Sequence, residues 1–403
     1  MGRVDREALY RDPYPVYARA RSARGLTFVE ELDAWLVARH ADVREVLGRP
    51  DDFSSKGALR PDVIPGPAAF AELAAVPGNA PVVLSTDGEA HARYRWPLTR
   101  GLSPAKVTAA LPFIRATAGE LVASFARPGS GAGTVEWMSG YARPLPAAVI
   151  GHLLGLDPAD VPGAVQAGDR AEDLLFTPMP EERQVAAARE VAALRRMLDA
   201  HAARSRTEDS LTGELSRGLA PGPGEPTPEQ RDEIVANTQN VMLAGHLTTT
   251  ALLGTVVHRL LRERRQWELL CGRPELAGAA IEEAARFEAP VQGFRRTVTR
   301  PLELAGTALD VGDTVFVSFG SAGRDEAVFE RPDEFDIARE PVRHLSFGHG
   351  VHGCPGALLA REQLRITLEL LVRELPGLHL AREHVAMAAT LIRRAPEELF
   401  LAW

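Results

Sequence analysis

A single cysteine, Cys354, sits in the stretch HLSFGHGVHGCPGALLAR, residues 344–361, with Gly348, Gly350, Gly353 and Gly356 around it and a helical pattern directly after it. Glycines allow positive φ and close backbone approach. Pro355 suits the first position of a helix, where its missing N–H leaves nothing unpaired. The amides of that first turn then point back at the sulfur, and a helix start favours negative charge. Such a setting lowers a thiol pKa and suits a thiolate used as nucleophile or metal ligand. Two plainer readings compete. A lone cysteine is commonly a small buried hydrophobe, and His352, two residues away, is poorly spaced to serve a nucleophile as its base.

The second candidate is a polar stripe in VANTQNVMLAGHLTTTALLG, residues 235–254. At helical spacing Asn237, Asn240, Ala244 and Thr248 share one face. A buried amide without a partner costs about 1–3 kcal/mol, so polar groups along a core helix need an explanation. Either the asparagines bond neighbouring helices and the threonines bond back along their own, or the face lines a cavity. In the second case Ala244-Gly245 leaves room for something flat or bulky.

The elements that must position these groups are mostly helical. Apolar spacing predicts helix over residues 13–24, 40–48, 89–100, 104–127, 140–154, 181–205, 228–262 and 357–375. Thr227-Pro228-Glu229-Gln230 supplies an N-cap, a proline at the first helical position and a capping-box glutamine. It opens a proline-free run to Arg262, roughly 50 Å of helix. With no sustained heptad, a helix of that length crosses a core. Strand patterns are short and few. One is Leu26–Val37, and Arg295–Phe319 alternates as a hairpin about Ala305-Gly306. A further hairpin is expected within Val385–Trp403. The pattern predicts a mainly α fold with a small β part. The segment GLAPGPGEPTP, residues 218–228, has the length of a surface loop, so one domain over 1–403 is expected.

Composition narrows the function classes. The chain has 403 residues, 45% of them hydrophobic, and a net charge of −8. That is enough apolar residue for a large core, and the acidic balance argues against a dedicated nucleic-acid binder. Only two cysteines occur, Cys271 and Cys354, with no C-x-x-C pair, which excludes a disulfide scaffold and a thiolate zinc site. Lysine is present only at Lys56 and Lys106, so 44 of the 46 basic residues are arginine, the habit of a GC-rich bacterial genome. The first thirty residues hold no apolar core of a signal peptide, and no run of about 18 apolar residues occurs. A cytoplasmic protein without membrane contact is expected.

Phe347-Gly348-x-Gly350-x-His352-x-Cys354-x-Gly356 resembles, at every fixed position, the haem-binding signature of the cytochrome P450 family, F-G-x-G-x-[HR]-x-C-x-G. Glu283-Ala284-Ala285-Arg286 is similar to the family's E-x-x-R, AGHLTT at 244–249 to A-G-x-[DE]-T-T, and SAGRDEAVFERPDEFD at 321–336 to S-A-N-R-D-P-x-x-F-x-x-P-x-x-F-D. His91-x-x-x-Arg95 resembles the pair that meets haem propionates in soluble bacterial members. In order and spacing the likeness spans residues 10–403.

The resemblance implies a cytochrome P450 fold with haem b between the long core-crossing helix and the helix after the cysteine loop. Cys354 would be the axial thiolate, with Gly356 in the same signature and Phe347 packed beside the sulfur. Propionate contacts would fall to His91, Arg95, Arg296 and His352, with His344 a further candidate. Glu283 and Arg286 would form a buried structural ion pair. On the other side Ala244 and Gly245 would leave space for O2, and Thr248 matches the threonine that hydrogen-bonds oxygen and helps deliver protons. One departure stands out: the acid usually found before that threonine is Leu247, which cannot relay a proton.

Asn237, Asn240, Leu247, Val291, Phe294 and Leu391 are the expected substrate contacts, together with a mobile Pro/Gly-rich segment over 57–83. The asparagines imply a substrate with amide, hydroxyl or carbonyl groups, such as a polyketide or peptide-like secondary metabolite, free or attached to a carrier protein. Electrons would come from a ferredoxin and its reductase, docking near Arg93, Arg100, Lys106, Arg361 and Arg365. The expected activity is hydroxylation, epoxidation or oxidative coupling with O2 and two electrons. The alternative is a binding or scaffold protein that keeps the fold without turnover, for which Leu247 is the support.

Overall fold

The computed structural model describes residues 6–126 and 131–403. The chain packs as two compact units, one made of the chain up to Ser54, Leu111–Pro146 and Leu247–Trp403, the other of Ser55–Ala110 and Ala147–His246.

The first unit holds the β structure of the described residues. Its main sheet runs Thr27–Val29, Ala34–Val37, Thr314–Ser318, Gly293–Val298, Phe53–Ser54 in spatial order. Every neighbouring pair is antiparallel except Ala34–Val37 with Thr314–Ser318, where Leu36 lies opposite Phe316. Val37, Val43, Phe53, Val315 and Val317 bury against it. The strand expected over Leu26–Val37 is broken by a turn that leaves Asp33 at φ 48°. The hairpin about Ala305-Gly306 forms between Leu302–Leu304 and Thr307–Leu309. Val385–Trp403 is not a regular hairpin. It makes a single bridge, Met387 to Pro396, and its last strand, Phe400–Ala402, pairs with Thr134–Glu136 and His379–Leu380.

The second unit is helical. Leu98, Leu154, Leu198, Leu215, Leu219 and Val235 form the centre of its core. The Pro/Gly-rich segment, expected to be mobile, contains a helix, Pro67–Ala74, and is bonded down along its length. Leu175 O accepts from the amides of Asp62 and Val63, Gln184 Oε1 from Gly66 N, and Asp232 Oδ1 from Gly78 N and Asn79 N at 2.6 and 3.0 Å.

The helix Pro228–Arg262 starts with the expected capping box, Gln230 N to Thr227 Oγ1 at 3.3 Å and Thr227 N to Gln230 Oε1 at 2.9 Å. Among the described residues only this helix is long and apolar enough to cross a membrane, and 78% of its apolar window is buried inside the protein, as in a core helix.

Two buried charge networks organise the first unit. On the helix Ala277–Phe287, Arg286 meets Glu283 through two parallel bonds of 2.7 Å. Its remaining N–H groups reach Gly323 O, Pro332 O and Glu334 O at 2.7, 2.8 and 3.1 Å. Glu283 also accepts from Asp336 N and Arg339. The segment 323–339 is thereby wrapped onto the ion pair. The second network was not anticipated. The fully buried Glu288 accepts from Arg259, Arg394 and Tyr14 Oη, while Arg324 stacks on Tyr14 at 3.5 Å. Burial would raise the Glu288 carboxyl, and the charges of Arg259 and Arg394 instead bring it down to about 2.

Next to Arg259, His258 is 1% exposed and neither ring nitrogen meets a partner among the described residues. Burial first, then the charges of Arg259 and Arg262, push its imidazole down to about 4. The folded protein therefore resists protonating His258, whereas the unfolded chain takes up a proton near pH 6.5. Its contribution to stability is complete above pH 6.5 and is lost as pH falls toward 4. Replacing His258 by Phe should flatten the loss of stability between pH 7 and pH 4 by up to about 3 kcal/mol, read from urea unfolding at the two pH values. Parallel pH curves for the two proteins would contradict this. Arg286→Leu leaves Glu283 buried without its main partner and should cost about 3–5 kcal/mol, and an unchanged urea midpoint would show that the pair is dispensable.

Candidate active site

The loop around Cys354 is held by its own backbone. Cys354 N donates to Phe347 O at 2.8 Å, Gly348 N to Leu345 O at 2.8 Å and Gly353 N to Gly350 O at 3.1 Å. Gly348 and Gly350 take φ of 72° and 68°, which side chains disfavour. A Cβ on Gly350 would also lie 2.5 Å from Leu47 O, so a second contact demands glycine there. The thiol of Cys354 is exposed, and the helix Ala357–Glu374 begins three residues later. Ser346 Oγ donates to Ala285 O at 2.6 Å, tying the loop to the helix that carries Glu283 and Arg286.

Phe347 is gripped from outside. Arg361 gives Glu282 two hydrogen bonds of 2.6 and 2.8 Å and lays its guanidinium 4.3 Å above the Phe347 ring. His344 is a correction to its expected propionate role. Ser346 N donates to its Nδ1 at 3.2 Å, so Nε2 carries the proton and donates to Glu282 at 3.1 Å. Both ring nitrogens are spent on protein. Burial would raise the Glu282 carboxyl, but the bonds from Arg361 and His344 hold it down at about 2.

Of the other expected cofactor contacts, Arg296 is buried on the strand Gly293–Val298, with Nη1 on Arg295 O at 2.8 Å. His352 lies in the single 3-10 turn Gly350–His352, and Gly356 is the residue capping the cysteine helix. In the second unit His91 and Arg95 stand one turn apart on the helix Gly88–Gly101. Burial, then the charge of Arg95, push the His91 imidazole down, and an anionic group placed there would reverse that effect.

The long helix divides its candidates. Asn237 is fully buried, its Oδ1 accepting from Val83 N at 3.0 Å and its Nδ2 donating to Glu233 O at 3.0 Å. Its amide anchors the 57–83 segment, so it is not a substrate contact. Asn240 is half-buried and its amide makes no hydrogen bond to another described residue. Ala244 is exposed and Thr248 half-buried on the same face. A Cβ on Gly245 would sit 2.7 Å from Ile150 Cδ1, so the missing side chain there makes room for Ile150 first. His246 points inward, with Nδ1 on Met242 O at 3.3 Å, and Leu247 is buried.

Leu391 is another correction. It belongs to the core cluster with Tyr17, Leu36 and Phe316, and its carbonyl accepts from Gln292 N. Val291 and Phe294 are half-buried against the sheet core. The cations expected to face a ferredoxin are all paired inside the protein: Arg93 with Glu233, Arg100 with Glu214, Lys106 with Asp209, Arg361 with Glu282 and Arg365 with Glu362 and Glu369. Glu282 and Asp232 were not foreseen, because nothing local distinguishes one helical carboxylate from another.

The donor set fits haem. No group of three or more His, Cys, Asp or Glu residues that could hold a metal occurs among the described residues. Within the first unit the loop offers one exposed thiol on a hydrogen-bonded backbone, and buried Arg296 supplies a cation suited to carboxylates. A metal whose remaining ligands come from a macrocycle matches that supply.

Comparisons with known proteins agree. The family model "Cytochrome P450" matches residues 273–376. Cytochrome P450 144 of Mycobacterium tuberculosis is 34% identical over 399 residues, 97% of this chain and 89% of the relative. Nocardicin C N-oxygenase of Nocardia uniformis subsp. tsuyamanensis is 32% identical, over 97% and 96% of the two chains. The solved structure of cytochrome P450 CREJ in complex with (4-ethylphenyl) dihydrogen phosphate superposes with a TM-score of 0.88, at 29% identity and 98% coverage of each chain. With a thiol loop, an E-x-x-R pair and near full-length likeness in both sequence and fold, the chain belongs to the cytochrome P450 family and is a P450 monooxygenase.

Proposed function

We propose that this enzyme holds haem b through Cys354 and uses O2 and two electrons to oxidise a small secondary metabolite bearing hydrogen-bonding groups. The observation that carries the reading is the cysteine loop, where the Cys354–Phe347 backbone bond and two positive-φ glycines present one thiol at the start of a helix. His91, Arg95, Arg296 and His352 would bind the propionates, and both compact units would serve one catalytic domain. Bound haem supplies oxygen activation and the one-electron steps. The chain's own residues do the rest. Ala244 offers an uncrowded surface, the Thr248 hydroxyl can pass a proton, and Leu247 at the neighbouring position cannot.

Asn240 supports a polar substrate: its half-buried amide, with no bond to a described residue, shares a face with Ala244 and Thr248. A relative named for oxygenating nocardicin C supports the secondary-metabolite class. A ferredoxin and its reductase are the electron source in this reading. Since the five candidate cations are already paired, docking would rest on shape and apolar contact more than on free arginines.

Optical titration of the ferric protein with candidate metabolites tests this reading. A substrate that displaces water from the haem iron should shift the Soret band to the blue, and Asn240→Leu should weaken that binding about 2- to 12-fold, the worth of one hydrogen bond. Binding unaffected by Asn240→Leu would remove Asn240 from the substrate site, and a thiolate-ligated haem protein that turns over nothing would favour the scaffold alternative. Leu247→Glu restores an ionisable group beside Thr248. It should raise the fraction of reductant recovered as product if proton delivery limits the enzyme, and unchanged coupling would show that protons already arrive by another path.

A further inference from the structure

The side chains of Glu282, His344, Phe347 and Arg361 form one contact cluster, and the Phe347 backbone joins it to Cys354. The Arg361 guanidinium is fixed by two bonds to Glu282 and lies flat over the Phe347 ring at 4.3 Å. The His344 ring is 5.8 Å from that of Phe347, inclined at 42°, and its Nε2 secures the same carboxylate. The backbone carbonyl of Phe347 accepts from the Cys354 amide at 2.8 Å. Arg361 is the fifth residue of the helix that follows Cys354. The Glu282 hydrogen bond is the main force raising the Arg361 guanidinium, with the charge of Cys354 adding to it. A cation packed on the Phe347 ring, whose backbone carbonyl holds the Cys354 amide, makes the potential at the cysteine loop less negative, and Glu282 decides how much of that cation is felt.

We propose that Glu282 is a positioning residue that sets the reduction potential of the bound haem by neutralising Arg361 on the helix that follows Cys354. The proposal rests on Cys354 as the axial ligand. Reduction adds one negative charge to the haem site. An uncompensated Arg361 favours that added charge, and an uncompensated Glu282 opposes it. The pair is part-exposed, with side-chain exposures of 37% for Arg361 and 41% for Glu282, so water screens the effect in size without altering its sign.

Four variants make the test: Glu282→Gln, Arg361→Gln, the double substitution and Arg361→Lys. Their equilibrium potentials are measured in the holoenzyme by spectroelectrochemistry with small mediator dyes and no ferredoxin, so that partner docking plays no part. Reduced-CO spectra are recorded alongside. Glu282→Gln should shift the potential upward and Arg361→Gln downward, the double variant should return close to the wild type, and the thiolate CO band should persist throughout. Arg361→Lys, which keeps the charge but loses the planar stack on Phe347, should stay close to the wild type.

A purely structural role for the pair predicts something else: both single variants move the same way, through a loosened Phe347, and the double variant restores nothing. That result, or the absence of any shift, overturns the proposal. If Arg361→Gln does not retain haem, Glu282→Gln and Arg361→Lys still decide it. A potential that does not rise in the former, or one that falls well below wild type in the latter, is fatal. A wild-type protein with no thiolate CO band would instead refute the assignment of Cys354, and this proposal with it.

Discussion

A guanidinium tolerates burial only where each of its N–H groups finds an acceptor, and Arg286 meets that demand with five hydrogen bonds to four residues. Two bonds go to Glu283 on its own helix, and the others go to the carbonyls of Gly323, Pro332 and Glu334. The irregular segment after the main sheet has few regular hydrogen bonds of its own, so this charge centre is what gives it a fixed path. The cysteine loop follows that segment directly and is tied to the same helix through Ser346 and Ala285. The position of the thiol therefore depends on a buried ion pair that never touches it.

Arginine is used here mainly as a structural fork. Arg259 and Arg394 converge on Glu288, Arg324 lies between Tyr14 and Phe287, and Arg206 donates to the carbonyls of Ala220 and Gly224. Planar, permanently charged groups can stack and bind several oxygens at once, which a lysine ammonium cannot do. An arginine-rich composition thus leaves few free cations for partners. The surface consequence is the pairing of every residue expected to meet a ferredoxin.

Legibility in the sequence followed the range of the forces involved. The cysteine signature could be read because its glycines, proline and thiol act within about ten residues of one another. The helices 40–48, 181–205 and 228–262 appear at the bounds their apolar spacing indicates. Apolar spacing does not reveal helices Pro67–Ala74 and Leu211–Leu219 because each is only eight or nine residues long, the first set in a Pro/Gly-rich stretch and the second interrupted by Gly213 and Gly218. Their apolar faces acquire meaning only against neighbours, as Leu211, Leu215 and Leu219 do against Leu98. Apolar spacing predicts continuous helix over 140–154, yet Met138–Ala142 widens into a π turn where Trp137 stacks on Tyr141 at 4.3 Å and bonds Leu253 O.

What the sequence determined by itself is the chemistry: one thiol in a glycine-lined loop before a helix, an E-x-x-R pair, and a long helix with a polar stripe and a leucine where an acid is usual. What only the tertiary structure decided is which polar groups remain available for that chemistry. Asn237 and Asn240 look equivalent on the helix, but the first is claimed by the amide of Val83 and the second is not. His344 stands in the loop as a candidate like any other, but it is claimed by Ser346 and Glu282. A hydrogen-bonding group has a fixed capacity, and whether the protein has already used it depends on residues far away in the chain. Local spacing carries no record of those partners.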